Sequence, residues 1–528
     1  MAVAVLGLGG AFLVDVVRGD DAGSDGRTRA AGSAQGTDGE AGEDGDEPDE
    51  EEGPPADRVF ATDYDGLADP AGFGLPYPNA EVQGLLTFRG NPSRSYYGAG
   101  PVPSAPQVAY KFPSDAPMCR RSVNLGQTKV WCGMGWTGQP TIVERPEGAA
   151  TRTWAIFGGY DGHIHFVDAL TGQRLLPDVE TGDIIKGTPT IDPEGYPLVY
   201  TGSRDNFLRV IAFDRPGQAE VLWQLDSESV KPVIWNDDWD SSPIILGDYM
   251  VVGSESGRFW VVKLNRSTDA AGLVQVAPQV VFTTEAWDQE VLNLNGDKVA
   301  SVESSVAVYE NTVYFGTSAG LIWGYDLSGV QDGQAPTRVF RFWTGGDNDA
   351  TVVVDDEGYL YVGGQFDRNL QRARDVGQMT KLDPRRPDDP VVWKLDEQVS
   401  LAGGVYGTPG IAGNVLYFGT NSGRLVGVDR TTGAVLWEKR IPGPVWGSPV
   451  VVDDTLLIGD CQGSLHAYDV SNPLVDPPAR WVIELGGCIE ATPAVWDGRI
   501  YIGTRAGHLF ALADPAAPPT TTSTTAEG

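Results

Sequence analysis

The stretch TPAVWDGRIYIGTRAGHLFAL, residues 492–512, decides the fold. Thr492-Pro493 opens a short apolar run, Asp497-Gly498 marks a tight turn, and a second run ends at Gly503. Gly507 then supplies the positive φ of another hairpin turn before a third run. Short apolar runs punctuated by turn residues are strands, joined here in sequence as hairpins.

The same unit recurs along the chain. Its lead position is held by Pro140, Pro189, Pro243, Val306, Val352, Pro409, Pro449 and Pro493. The first glycine is Gly158, Gly202, Gly253, Gly316, Gly363, Gly419, Gly459 and Gly503. Four residues later comes Gly162, Gly257, Gly320, Gly423, Gly463 or Gly507, with Asn206 in the second repeat. Lead positions lie 40 to 63 residues apart, room for four strands and their turns. A last strand carries an aromatic residue: Trp223, Phe282, Phe340, Trp393, Trp437 and Trp481. After Pro493 the chain runs out before that strand, whereas Val108-Ala-Tyr-Lys-Phe112 supplies it upstream, with Tyr110 in the aromatic slot. The expectation is an all-β protein, an eight-bladed β-propeller of four-stranded blades closed by an N-terminal strand. Such closure pairs the free edges of first and last segments.

Composition agrees. The 528 residues include 68 Gly and 37 Pro without a collagen-like period, and 41% are hydrophobic, enough to build a core. Net charge is -34, which excludes nucleic acid as a partner and disfavours an anionic membrane surface. Between Asp20 and Asp57, 14 acidic residues face only Arg27 and Arg29. Residues 1–18 contain the apolar run Ala2 to Val17, read as a membrane anchor or signal segment whose first residues lie upstream of Met1. Residues 19–83 are read as an acidic disordered linker and lead-in, 84–514 as the propeller, and 515–528 as a disordered tail.

The repeats resemble the PQQ-like, or quinoprotein-type, β-propeller family, in residues 492–512 above and in GRLVGVDRTTGAVLW, residues 423–437. The resemblance covers about residues 88 to 513. It implies either a dehydrogenase holding PQQ and calcium or a non-catalytic scaffold of extracytoplasmic assembly. The dehydrogenases carry two adjacent cysteines over the cofactor, whereas Cys119, Cys132, Cys461 and Cys488 are all separated. That departure favours the non-catalytic members, with no cofactor expected and PQQ with calcium as the alternative.

Local disulfides, Cys119 with Cys132 and Cys461 with Cys488, are preferred over a zinc site because no C-x-x-C spacing occurs. They require an oxidising compartment. His163 and His165 alternate on one strand face. The slot of His165 is filled elsewhere by Trp260, Trp323, His466 and Phe510, and that of His163 by Arg258, Arg424 and His508. They therefore read as a packing position and a turn flank.

Three residues before the lead positions, where the family's chain approaches the central channel, stand Lys186, Asp240 (with Trp239), Glu303, Asp349, Tyr406, Trp446 and Glu490. Asp237, Asp238, Asp240, Glu303, Asp347 and Asp349 form an acidic arc, with Asp240, Glu303 and Asp349 as candidate ligands of Ca²⁺ or of a basic peptide. Trp239, Tyr406 and Trp446 are candidate ligand-rim residues, joined by Trp235 if the ligand is cell-wall carbohydrate. The function expected is an exported, membrane-tethered binding or scaffold module with a protein or cell-envelope partner.

Overall fold

A computed structural model describes residues 64–515, except 125, 137, 149 and 398–402. The expected anchor, most of the acidic linker and nearly all of the tail lie outside the described residues. Eight sheets surround one axis. The sixth blade, Gly410–Ala412, Val415–Gly419, Arg424–Asp429 and Val435–Arg440, is a four-stranded antiparallel meander, and five others repeat it. The inner strands are apolar on both faces because each blade is stacked between two others. Thr455–Gly459, for example, is buried throughout, and its Leu456 and Ile458 share a cluster with Tyr417 and Leu425 of the preceding blade.

The closing strand is Gln107–Phe112, which pairs antiparallel with His508–Ala513 in the eighth blade. Tyr110 fills the aromatic slot, its hydroxyl donating to the carbonyl of Ala169 in the first blade at 3.0 Å. Trp393, Trp437 and Trp481 make the equivalent bond from their indole N–H to Arg430, Pro473 and Pro103. Each aromatic thus reaches beyond its own sheet.

The repeat's glycines have distinct jobs. Gly162, Gly257, Gly320, Gly423, Gly463 and Gly507 all have positive φ, as does Asn206 at 75°. The first glycines are sites of close approach: a Cβ on Gly419 would meet Val445 at 2.2 Å, and one on Gly459 would meet Ile489 at 2.3 Å.

Around the axis runs a ring of hydrogen bonds that explains the Ser or Thr before the lead position. The backbone N–H groups of Gln139, Thr188, Ser242, Ser305, Thr351 and Thr408 donate in turn to the hydroxyls of Thr188, Ser242, Ser305, Thr351, Thr408 and Ser448, at 2.8–3.0 Å. The eighth blade joins the first through Thr492 N–H to the Gly138 carbonyl, 2.9 Å, and Gln139 Nε2 to the Pro493 carbonyl, 2.7 Å.

Two blades depart from the expected four strands. Gly84–Leu85 pairs with the first blade's inner strand and Gly98–Ala99 with the eighth's, so both have five. The chain between them fills the axis beside the ring. Arg89 donates to the carbonyls of Thr408, Pro409 and Pro449, and Arg94 to those of Ser242, Val306 and Phe88. Both guanidinium groups are fully buried, satisfied by backbone carbonyls rather than by acids. Packing begins before residue 84. The Tyr77 hydroxyl donates to the Ile245 carbonyl at 2.5 Å, and Ala68 pairs with Glu310, so the later lead-in residues are bound to the disc.

Replacing Thr408 by Val leaves the buried Thr351 N–H without an acceptor, a loss of about 1–3 kcal/mol. Calorimetric melting should show Thr408→Val destabilised and Thr408→Ser close to the parent; equal melting of all three would show that the ring bond contributes nothing.

Candidate functional site

The inner strands bring the residues three before each lead position together at the channel mouth, as their shared register requires. A second set converges there that the sequence reading missed, two residues beyond each repeat's first glycine: Tyr160, Arg204, Glu255, Ser318, Gln365, Asn421, Cys461 and Arg505. The two sets bond to one another. Gln365 Nε2 donates to Asp349, Ser318 to Glu303 at 3.4 Å, Trp446 Nε1 to Asn421 at 2.5 Å, and Arg505 to Glu490 at 3.1 Å.

The expected acidic arc is divided. In its first part, Asp238 and Asp240 are joined by Glu255 and countered by two cations. Lys186 Nζ is bonded to Asp240 and lies 3.2 Å from Glu255 and 3.6 Å from Asp238; Arg204 Nε is 2.5 Å from Asp238. Burial pushes Asp238 up to about 7 and Asp240 well above the usual carboxylate range. Burial also opposes the Lys186 ammonium, but Asp240 and Glu255 outweigh it and hold Lys186 above its ordinary value. Glu255 is likewise opposed by burial, yet Lys186 keeps it low. Three carboxyls facing two cations become neutral when the trio shares one proton.

In its second part, Asp347 and Asp349 face each other and have no Lys or Arg ion-paired to them among the described residues. The Oδ1 of each is buried and meets no amide, hydroxyl or cationic donor, and the two carboxyls hydrogen-bond each other when they share a proton. Burial raises both well above the carboxylate range, reinforced by Asp367 and Glu303 at Asp347 and by Asp347 and Glu303 at Asp349. Between the parts lies Glu303, raised by burial and by Glu255, with its Oε1 accepting from Ser301 at 2.8 Å. Asp237 is set apart, its carbonyl accepting from Ser227.

Among the described residues, the carboxylates whose oxygens converge as a trio, within 4.8 Å, are Asp238, Asp240 and Glu255. Asp240, Glu303 and Asp349 do not form such a set. Calcium at the converging trio would have to displace Lys186, so these donors do not fit it as they stand.

Tyr406 and Trp446 are half-buried at the mouth, stacked with ring centroids 6.1 Å apart. Trp136, from the loop before the first blade, crosses to them and meets both edge-on, at 6.0 and 6.1 Å. Trp239 is not on the rim. It is fully buried, donates Nε1 to the Asn206 carbonyl at 2.7 Å and packs beside Trp260. Its slot, four residues before the lead position, is that of Ile185, Val302, Val445 and Ile489, which cover the preceding blade's first glycine; Trp239 covers Gly202. Trp235 is half-buried.

PQQ is a flat polycarboxylate and needs cations and an open face. Lys186 and Arg204 are committed to the acidic trio, Arg505 is committed to Glu490, and Trp136 occupies the space against Tyr406 and Trp446. The residues present do not fit PQQ.

Both disulfides pair as expected. Cys119–Cys132 closes the hairpin Cys119–Asn124 with Gln127–Cys132, and Cys461–Cys488 ties the seventh blade to the chain two residues before Glu490. His165 is more than packing. It lies 3.2 Å from Asp161 and 3.1 Å from Asp178, against Phe112 of the closing strand. Burial opposes its charge, but the two carboxylates raise its pKa overall.

An acid whose folded pKa is raised contributes stability below its unfolded pKa, near 3.9, and loses it as pH rises through the folded value. Asp349→Asn removes this loss. It should melt higher than the parent at pH 8, with the gap closing towards pH 4. Lower stability of the variant at pH 8 would show that the carboxylate is already compensated.

Residues 375–512 match the family described as outer membrane protein assembly factor BamB. The chain is similar to the assembly factor BamB of Nitrosomonas eutropha, at 32% identity over 168 residues, covering 30% of this chain and 36% of that protein. It is also similar to the quinoprotein alcohol dehydrogenase PedH of Pseudomonas putida, at 26% identity over 190 residues, covering 31% and 30%. These matches span about a third of each relative. A solved europium-containing methanol dehydrogenase shares the fold, with TM-score 0.51 and 14% identity over 81% of this chain and 98% of that one. Eight blades built from these repeats and closed by an N-terminal strand are consistent with the PQQ-like β-propeller repeat family, whose model matches residues 375–512.

Proposed function

We propose that this chain is a non-catalytic binding or scaffold module of the cell envelope, working through its channel mouth. The observation that carries this reading is the state of the axis: Trp136 packs there against Tyr406 and Trp446, and the neighbouring cations are already paired. The two disulfides support an oxidising, extracytoplasmic setting, because thiols stay reduced in the cytosol. A protein partner is in keeping with the similarity to an outer membrane protein assembly factor. Attachment through residues 1–18, with the acidic stretch as a spacer, belongs to the same proposal. Among the described residues, no helix is long and apolar enough to cross a membrane.

The alternative is a PQQ- and calcium-dependent dehydrogenase, which the quinoprotein relative brings forward. It needs a planar cofactor where Trp136 lies and calcium where Lys186 sits. Cell-wall binding through aromatic residues would rest on Trp446 and Trp235; Trp239→Ala would test folding instead, since Trp239 is fully buried.

Calorimetric titration with PQQ, with and without Ca²⁺, separates the two main readings. The binding-module reading predicts no saturable PQQ heat and no dye-linked alcohol oxidation. Calcium-dependent tight binding of PQQ with turnover would replace it by the enzyme.

A further inference from the structure

The mouth of the channel combines two features. Asp347 and Asp349 are 5% and 6% exposed, and the Oδ1 of each meets no amide, hydroxyl or cationic donor. Gln365 satisfies the other side of Asp349, and the two carboxyls hydrogen-bond each other when they share a proton. The nearby Arg368 is ion-paired to Asp297 and Asp367, at 2.8 Å each, and its charge also favours the Asp347 carboxylate. Beside the pair stands an aromatic trio, Trp136, Tyr406 and Trp446, with centroids 6.0 to 6.1 Å apart, and the indole N–H of Trp136 is also without a partner. Unlike the carboxylates, all three aromatics are partly exposed. Trp136 has φ 29°, in the region that L residues rarely adopt, so its backbone is held in place by its surroundings.

We infer that this constellation binds an organic cation, an ammonium or guanidinium group, with its charge on Asp347 and Asp349 and its apolar stem against the exposed faces of Trp136, Tyr406 and Trp446. Such a group would take the place of the proton the pair shares, giving N–H donors to both Oδ1 atoms and a positive charge beside both carboxylates. Aromatic faces favour cations attached to apolar carbon. A bare divalent ion fits less well, since it takes six or more oxygen ligands and gains nothing from indole rings. The cation could belong to a free amine or to a Lys or Arg side chain of a partner protein. The inference rests on reading the disc as a binding module; the PQQ titration tests that reading, and amine binding tests this one, so either can fail alone.

The test is titration of the whole protein with agmatine, putrescine, the peptide acetyl-Gly-Lys-Gly-amide and its neutral Gln counterpart, read by heat and by indole fluorescence. Saturable binding of the cationic probes with quenching, and none of the Gln peptide, is expected. Asp347→Asn and Asp349→Asn should each weaken binding by roughly tenfold or more, and Trp446→Leu by a smaller factor. Circular dichroism melts show whether each variant is folded, and the Asn variants conserve shape. Peptide binding without amine binding would support a protein side chain as the source; binding of both would support the shared chemistry. The proposal fails if no cationic probe binds, if the Gln peptide binds equally, if the Asn variants bind normally, or if Ca²⁺ displaces the amines at lower concentration.

Discussion

One hydrogen bond per junction, from a backbone N–H to the Ser or Thr hydroxyl of the next blade, links seven blades around the axis, and the Thr492 and Gln139 contacts join the eighth blade to the first. A propeller blade is a small sheet that cannot bury both faces alone, so it is stable only when its neighbours are held at a fixed angle. Each bond is worth only about 1 kcal/mol net. Their value lies in register: a blade shifted by one residue would turn its lead hydroxyl away and carry its apolar positions to the wrong face. The N-terminal segment adds a second constraint on the same inner-strand entries, since Arg89 and Arg94 bond carbonyls of the third, fourth, sixth and seventh blades.

The site follows from the ring. Once the Ser or Thr positions are fixed, residues two places upstream converge at the mouth, whatever their chemistry. Their partners come from the turn beyond each first glycine, which also faces the axis. In the second and third blades, the resulting charges nearly cancel through Lys186 and Arg204. In the fifth they do not: among the described residues no Lys or Arg is ion-paired to Asp347 or Asp349, which are left with Gln365 and each other. A buried carboxyl pair with no cation bonded to it is costly to keep ionised, whereas the trio beside it is countered by Lys186 and Arg204. The asymmetry between two chemically similar halves of one ring distinguishes a site from a surface.

Much of this was legible in the repeats. Gly507 and its equivalents announced hairpins, Ser/Thr-Pro announced the inner strands, and Tyr110 announced closure, because each has a local steric or hydrogen-bonding cause. The cysteine pairs were readable for the same reason, one lying across a hairpin and the other between successive blades. Residues 84–99 were opaque: they belong to no repeat, and nothing local says that Arg89 will find backbone carbonyls 320 residues away. Trp239 was misplaced because adjacency to Asp240 suggested a shared role, whereas alignment with Ile185 and Val302 would have put it against Gly202. Glu255 and Arg204 escaped because only one of the two converging registers was followed. Trp136 precedes the first repeat's register, so its reach across the axis depends on three-dimensional closure.

Hydrogen exchange resolved to single residues tests the central claim that the ring holds the axis rigid. The amides of Ser305, Thr351 and Thr408 should exchange only through global unfolding, as slowly as any in the chain and far more slowly than those of the outer strand Ala479–Glu484. Exchange of the ring amides at the rate of that outer strand would mean that the axis opens locally, and a mouth built on it could not be preorganised.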